Sequence, residues 1–184
     1  MHNSHYHKSE DPATEATPQA ISLEELLRSR DERSKLQHRL LAANPGMTVV
    51  MLTIVMPGTM KRNSLSLRTG RAAVEALAQA FGKQPIVRDL ITGFEAYLLT
   101  PLAPSEAKRK ACRIEEEHPL GRLFDIDIID QRGIPVERST IGLPPRRCLL
   151  CHNEARYCMR NRTHTQEELQ QHINKIIHDY VHGV

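Results

Sequence analysis

The chain has 184 residues, with 25 Lys and Arg against 22 Asp and Glu and a formal net charge of +3. That length suits one domain with a core of its own, and so mild a charge does not argue for a nucleic-acid partner, since a basic cleft for an anionic small molecule fits it equally well. Trp is absent and aromatics make up 4%, so stacking platforms for bases are scarce, and no apolar run approaches the roughly 20 residues of a membrane span. No apolar segment of the kind found in secretory signals follows the N-terminal charges, so a cytoplasmic location is expected, and there the four Cys would not be structural disulfides.

Residues 1–18 are polar, carry His2, His5 and His7 and two prolines, and read as a disordered tail. The remainder, 19–184, reads as a single domain. Ser22 and Glu25 form a capping box before Leu23, Leu26 and Leu27. They predict a helix to Leu41 or Ala42 that closes near Asn44-Pro45-Gly46. Its charged residues form a solvated face, or those from Arg28 to Arg33 lean over an anionic ligand. Met47 to Met56 is almost wholly apolar and rich in β-branched residues, which predicts a strand buried on both faces. Pro57-Gly58 ends it, placing Lys61 and Arg62 in a loop at the C-terminal end of a central strand, where open α/β sheets hold ligands. The spacing is not that of a Walker A loop. A helix is expected from about Ser66 to Phe81, stopped by Gly82, and then two strands, Ile86 to Leu90 and Phe94 to Leu99, joined around Thr92-Gly93. Glu95, on the second of these, is either a third carboxylate of a metal site or a surface residue of an edge strand.

Ser105 is expected to cap a helix from Glu106 to Glu117. Glu115, Glu116 and Glu117 fall in its last turn, where the helix dipole disfavours them, so they are solvated or met by a counter-cation. Pro119 forces the exit. In the stretch that follows, Asp125 and Asp127 alternate with Phe124, Ile126 and Ile128, which predicts a strand with two unlike faces. Both aspartates then point to one side, roughly 6–7 Å apart. Two carboxylates that close repel, so one takes a proton unless a cation sits between them. Mg²⁺ commonly uses one or two carboxylates plus substrate phosphates. The pair is therefore a metal clamp or two solvated groups on an edge strand. Asp is depleted in strands, and Arg122 precedes the pair while Arg146 and Arg147 follow in a Pro-Pro-Arg-Arg turn. Carboxylates with arginines are the parts of phosphoryl or nucleotidyl transfer. His118 is a further candidate base near neutral pH.

Gly133 makes a turn, and Pro135 to Thr140 is expected to return as a neighbouring strand. The basic segment 143–164 carries Cys148, Cys151, Cys158 and His164, a spacing that can bind Zn²⁺ tetrahedrally. With four protein ligands such a zinc is structural. The competing reading is a set of reduced cysteines drawn into the core by Leu149 and Leu150. Arg156, Arg160 and Arg162 add charge that could grip phosphates or an acidic protein, or stay solvated. A last helix, opened by the capping box Thr165 and Glu168, presents Leu169, Ile173, Ile176 and Ile177 to the core. The elements add up to an α+β fold, a mixed β-sheet flanked by helices with a Cys-rich loop and a C-terminal helix.

The segments from His118 to Asp127 and from Leu143 to Cys151, with Cys158 and His164, resemble the apo-citrate lyase phosphoribosyl-dephospho-CoA transferases (CitX), the holo-acyl-carrier-protein synthases of citrate lyase. Ser29 to Arg33 and the loop from Pro57 to Lys61 are similar to that family too, and the likeness spans about residues 20–178. It implies a nucleotidyltransferase-like enzyme. The reaction implied moves the phosphoribosyl-dephospho-CoA group from 2'-(5''-triphosphoribosyl)-3'-dephospho-CoA to a serine of the citrate lyase acyl carrier subunit, releasing diphosphate. The related malonate decarboxylase enzyme looks like it uses an aspartate pair, and that role falls on Asp125 and Asp127, which would hold Mg²⁺. Lys61, Arg122, Arg146 and Arg147 would neutralise phosphates, and an aspartate, Glu95 or His118 would take the serine proton. Arg122 stands where many nucleotidyltransferases carry a serine. The alternative is a non-catalytic zinc-knuckle module that binds an acidic protein.

Overall fold

The computed structural model describes residues 19–183; the tail expected over 1–18, with its three histidines, lies outside the described residues. Four strands form one open sheet in the order β2-β3-β1-β4. They are β1 (Thr48–Ile54), β2 (Ile86–Leu90), β3 (Gly93–Thr100) and β4 (Phe124–Ile129). Five helices accompany them: α1 (Leu23–Ala43), α2 (Ser64–Phe81), α3 (Pro104–Glu117), α4 (Ala155–Asn161) and α5 (Gln166–His182). The class is α+β, as expected. Every strand pairing is antiparallel rather than mixed, because the two helical crossovers, β1-α2-β2 and β3-α3-β4, join strands that run the same way but are not neighbours, and a strand of opposite direction fills the gap between each such pair. Among the described residues no helix is long and apolar enough to cross a membrane.

Strand alternation splits the sheet into two unlike faces. Val50, Leu52, Ala96, Leu98, Phe124, Ile126 and Ile128 point one way and join Ala73 and Leu77 of α2, Ala107 and Ala111 of α3, and Ile173 and Ile177 of α5 in one hydrophobic core. The other face carries two cross-strand rows. One runs Arg88, Glu95, Thr53, Asp125; the next runs Ile86, Tyr97, Met51, Asp127. α1 is tied to this second face by polar contacts. Thr92 Oγ1 donates to Ser29 Oγ at 2.9 Å, Arg33 meets Glu95, and Gln37 Nε2 lies 2.8 Å from Met51 Sδ.

Local chemistry accounts for the element ends. Ser22 and Glu25 close the expected capping box of α1. α2 starts two residues before Ser66, since Asn63 is the cap and the Ser66 hydroxyl reaches back as its reciprocal partner. α3 likewise starts at Pro104, not behind a Ser105 cap; Ala103 is its N-cap and proline, which needs no N–H there, takes the first turn. Pro135 to Thr140 do not form the expected strand. The chain makes one bridge, Ile129 to Pro135, and then a short 3-10 turn at Ser139–Ile141. The outer edge of β4 is satisfied otherwise: the Ile126 N–H donates to Glu115 Oε1 at 3.0 Å and its carbonyl accepts from Lys108 Nζ at 3.3 Å. A charged clamp from α3 so covers an edge that would otherwise offer itself to another strand.

Candidate active site

Asp125 and Asp127 lie on β4 and face the α1 side of the sheet, next to Thr53 and Met51 of β1. Asp125 is exposed and meets Arg146 Nη1 at 3.5 Å. Asp127 is partly buried, and among the described residues its carboxylate has neither an ion-pair nor a hydrogen-bond partner. Burial first, and then the charge of Asp125, pushes the Asp127 carboxyl above the usual carboxylate range; Lys108, Arg33 and Arg146 pull it only partway back. A carboxylate held charged at neutral pH without a partner carries an electrostatic cost that a divalent cation between the two aspartates would offset. The donor set, two hard oxygens on neighbouring same-face positions, fits Mg²⁺.

Glu95 sits in the same cross-strand row as Asp125, but two strands away, about 9.5 Å by sheet spacing. It is 1% exposed. Arg33 Nε donates to one oxygen at 3.0 Å, while Arg88 Nη1 at 3.3 Å and the Tyr97 hydroxyl at 2.7 Å donate to the other. Burial, and then the bond to Glu95 and its charge, raise the Tyr97 phenol well above its ordinary value. Glu95 is thus a buried anchor that sets two guanidiniums over the aspartate face, rather than a surface residue of an edge strand. Arg33 closes the charged run Arg28 to Arg33, expected either to be solvated or to lean over an anionic ligand. Arg88 has as its signal nothing but an arginine in alternation on a short strand.

Of the arginines around the pair in sequence, Arg146 is the one whose guanidinium reaches it among the described residues. Arg146 links three regions: its Nη1 reaches Asp125 and lies 3.9 Å from Glu115 Oε1, and its Nη2 donates to the carbonyls of Gly121 at 3.3 Å and Arg122 at 2.8 Å. Arg122 donates to the carbonyls of Arg147 and Cys148 at 2.6 and 3.1 Å, so it braces the loop that follows. Burial lowers its pKa from the ordinary arginine value. Arg138, which sequence patterning does not single out, donates to Glu115 at 3.2 Å and also pairs with Glu116. It is the counter-cation that the acidic last turn of α3 requires. Glu115 remains raised by burial despite Arg146 and the Ile126 N–H. Arg122, Arg138, Arg146 and Arg147 line, with Glu115 and Glu116, a cavity of about 360 Å³; neither aspartate lines it, and Arg146 joins it to Asp125. Gly121 is required where this loop crosses α3, since a Cβ there would lie 2.5 Å from the Ile114 carbonyl oxygen.

Two expected site residues lie apart from the pair. Lys61, half-buried, donates its ammonium to the Met56 carbonyl, and burial, then Arg30, lowers its pKa. His118 packs on Phe124 at 4.9 Å and Tyr180 at 5.7 Å between ring centroids. Phe124 points into the core, so His118 lies on the opposite side of β4 from the aspartates. Its Nδ1 accepts from the Leu120 N–H at 3.0 Å, and burial lowers its pKa even though Glu75 works against that.

Cys148, Cys151, Cys158 and His164 converge. Their ligand atoms all lie within 4.8 Å of one another, with Cys151 Sγ 3.5 Å from Cys158 Sγ and 3.3 Å from His164 Nε2. A tetrahedral Zn²⁺ with bonds of about 2.0–2.3 Å requires ligand separations of this order, so the group can hold a metal. The backbone explains the convergence. Arg147 bridges Glu154, Cys148 N–H donates to Asn153 O at 2.8 Å, and Ala155 N–H donates to Arg146 O at 2.8 Å. α4 then carries Cys158, and Arg162, with φ 48°, ends it and swings His164 back. Leu149 also packs against the main core, so both sequence readings of the segment hold in part.

The family described as CitX, apo-citrate lyase phosphoribosyl-dephospho-CoA transferase, matches residues 21–180. A protein of Streptococcus pyogenes serotype M18 (strain MGAS8232), named "Probable apo-citrate lyase phosphoribosyl-dephospho-CoA transferase", is 35% identical over 169 residues, covering 88% of each chain. One of the same name from Vibrio cholerae serotype O1 (strain M66-2) is 37% identical over 169 residues, covering 88% of this chain and 94% of its own.

Proposed function

The chain belongs to the apo-citrate lyase phosphoribosyl-dephospho-CoA transferase family and is a transferase, and from that premise we propose the reaction its aspartate face carries out. The donor is 2'-(5''-triphosphoribosyl)-3'-dephospho-CoA, and the acceptor is a serine of the apo acyl carrier subunit of citrate lyase. The serine oxygen bonds to the α-phosphorus of the triphosphate, the bond from that phosphorus to the bridging oxygen breaks, and diphosphate leaves. The fold is read as nucleotidyltransferase-like.

The observation that carries this reading is the Asp127 carboxylate, partly buried beside Asp125 and without a cationic partner. Asp125 and Asp127 are the residues that would hold Mg²⁺, which when bound neutralises polyphosphate oxygens and the charge developing on the leaving diphosphate. A carboxylate oxygen of Asp125 or Asp127 turned away from the cation would take the serine proton. Arg33 and Arg88, fixed by Glu95, and Arg146, fixed by backbone carbonyls, face the phosphates with little freedom left to lose. Arg147 and Lys61 supply outer positive charge, and Arg122 supports the loop that presents Arg146. Cys148, Cys151, Cys158 and His164 hold a structural Zn²⁺ that fixes the arginine loop; the family relationship ranks a purely non-catalytic knuckle behind this reading.

The test is a mass measurement. The protein, the apo carrier subunit, the triphosphoribosyl precursor and Mg²⁺ are incubated, and the carrier is weighed. A mass gain equal to one phosphoribosyl-dephospho-CoA group, with diphosphate released in equal amount, is expected. An unmodified carrier overturns the proposal.

A further inference from the structure

α4 is a seven-residue helix with one buried residue, Cys158. A helix so short does not persist on its own; it is held by Cys158 in the Cys/His group and by the bond from the Ala155 N–H to the Arg146 carbonyl, 2.8 Å. At 100° per residue, Arg156 and Arg160 project opposite Cys158, with Tyr157 and Met159 on either flank. Tyr157 is 56% and Met159 73% exposed. Arg156, Arg160 and the adjoining Arg162 are exposed, and among the described residues none of them forms an ion pair. Glu154 is the lone carboxylate between Arg146 and His164. Arginine around an exposed tyrosine and methionine is the composition of a protein-binding surface rather than of ordinary solvated helix.

Its position says what would sit there. α4 is joined through Ala155 to Arg146, whose guanidinium reaches Asp125 at 3.5 Å. A small anion has the neighbouring arginine-lined cavity to enter; the outer face of α4 is exposed and suits a macromolecule. We infer that this face, Arg156, Tyr157, Met159, Arg160 and Arg162, docks an acidic surface of the protein that receives the transferred group, bringing its acceptor hydroxyl to the aspartates. The inference rests on the proposed reading that the acceptor is a protein. It gives the Cys/His module a second task, the presentation of a recognition helix.

The experiment titrates purified apo carrier subunit into the metal-loaded enzyme, first without precursor, reading binding, and then with saturating precursor, reading transfer. The Arg156→Glu/Arg160→Glu protein is expected to weaken binding, and to raise the carrier KM, by about tenfold or more, with kcat within about twofold and the precursor KM unchanged. The Arg156→Lys/Arg160→Lys protein retains most of the binding. Wild-type binding itself weakens about tenfold between low and high salt, a readout that does not depend on any variant folding. An unaltered carrier KM in the charge-reversed protein, a loss confined to kcat, a lysine pair as impaired as the glutamate pair, or salt-independent binding each overturns the docking surface. Carrier binding that the reversal abolishes, in an enzyme that transfers nothing, upholds the surface and sinks the reaction; transfer at low carrier concentration undiminished by the reversal does the opposite.

Discussion

The aspartate face and the Cys/His module meet at Arg146, yet they are built on opposite principles. The module is local: four ligand atoms lie within 4.8 Å, drawn from the single stretch Cys148 to His164 and held mostly by backbone bonds between Arg146 and Thr163, with Arg122 bracing the Cys148 carbonyl from outside. The aspartate face is left open. Its parts come from α1, β2, β3, β4 and the arginine loop, and its central carboxylate faces a like charge without a partner of its own. A structural site satisfies its own donors and acceptors, whereas a catalytic one keeps charge in reserve for substrate. Glu95 shows both habits: it is fully paired, and by being so it holds Arg33 and Arg88 ready.

Substitutions should separate the two regions, and the largest effect is expected at Asp127. Asp127→Asn lowers carrier modification by about three orders of magnitude while the fold becomes no less stable. The sign follows from the raised carboxyl: stability is fully present below the unfolded carboxylate value and is lost as pH rises through the folded one. The variant should therefore melt above wild type at about pH 7.5 and level with it near pH 3, and Mg²⁺ should raise the midpoint of wild type alone. A variant less stable than wild type at neutral pH would break the contrast between open and closed sites.

Cys151→Ser tests the closed region. It should release stoichiometric zinc, lower the thermal midpoint by about 5 °C or more, and reduce transfer roughly thirtyfold as Arg146 and Arg147 lose their support. Hydrogen exchange should show opening confined to 146–164 with the sheet still protected. Uniform loss of protection would mean that the module is not separable from the sheet. Glu95→Gln should raise the precursor KM about tenfold with kcat nearly kept, and cost about 2 kcal/mol in urea unfolding, because two guanidiniums lose a buried anionic partner. A collapse of kcat instead would make Glu95 a reacting group. The smallest effect is expected at His118, on the core side. His118→Gln should keep transfer within about threefold. Since its folded pKa is lowered, wild-type stability is present above the unfolded histidine value and lost as pH falls through the folded one; the variant should gain on wild type below about pH 6. A transfer rate cut a hundredfold with an altered pH profile would restore it as the base.

Much of this architecture is legible in the residues. Alternation around Asp125 and Asp127 marks a two-faced strand, the capping boxes at Ser22 and Thr165 fix two helix starts, and the Cys-x₂-Cys-x₆-Cys-x₅-His spacing marks a group whose ligand atoms converge closely enough to hold a metal. Such features depend on a few neighbouring residues, because backbone periodicity and loop closure act over one turn or one knuckle. Strand order and partner choice do not work that way. That Glu95 shares a row with Asp125, that Arg33 and Arg88 converge on Glu95, that Arg138 answers the acidic end of α3, and that the expected strand over 135–140 shrinks to one bridge while Lys108 and Glu115 cover the β4 edge were decided by tertiary packing. His118 carries the same lesson: it lies close to Asp125 along the chain, yet the pleat puts Phe124, and His118 with it, on the core side of β4. The sequence by itself determined which short stretches carry chemistry; only the folded sheet, by choosing neighbours and faces over separations of tens of residues, decided which of those stretches act together.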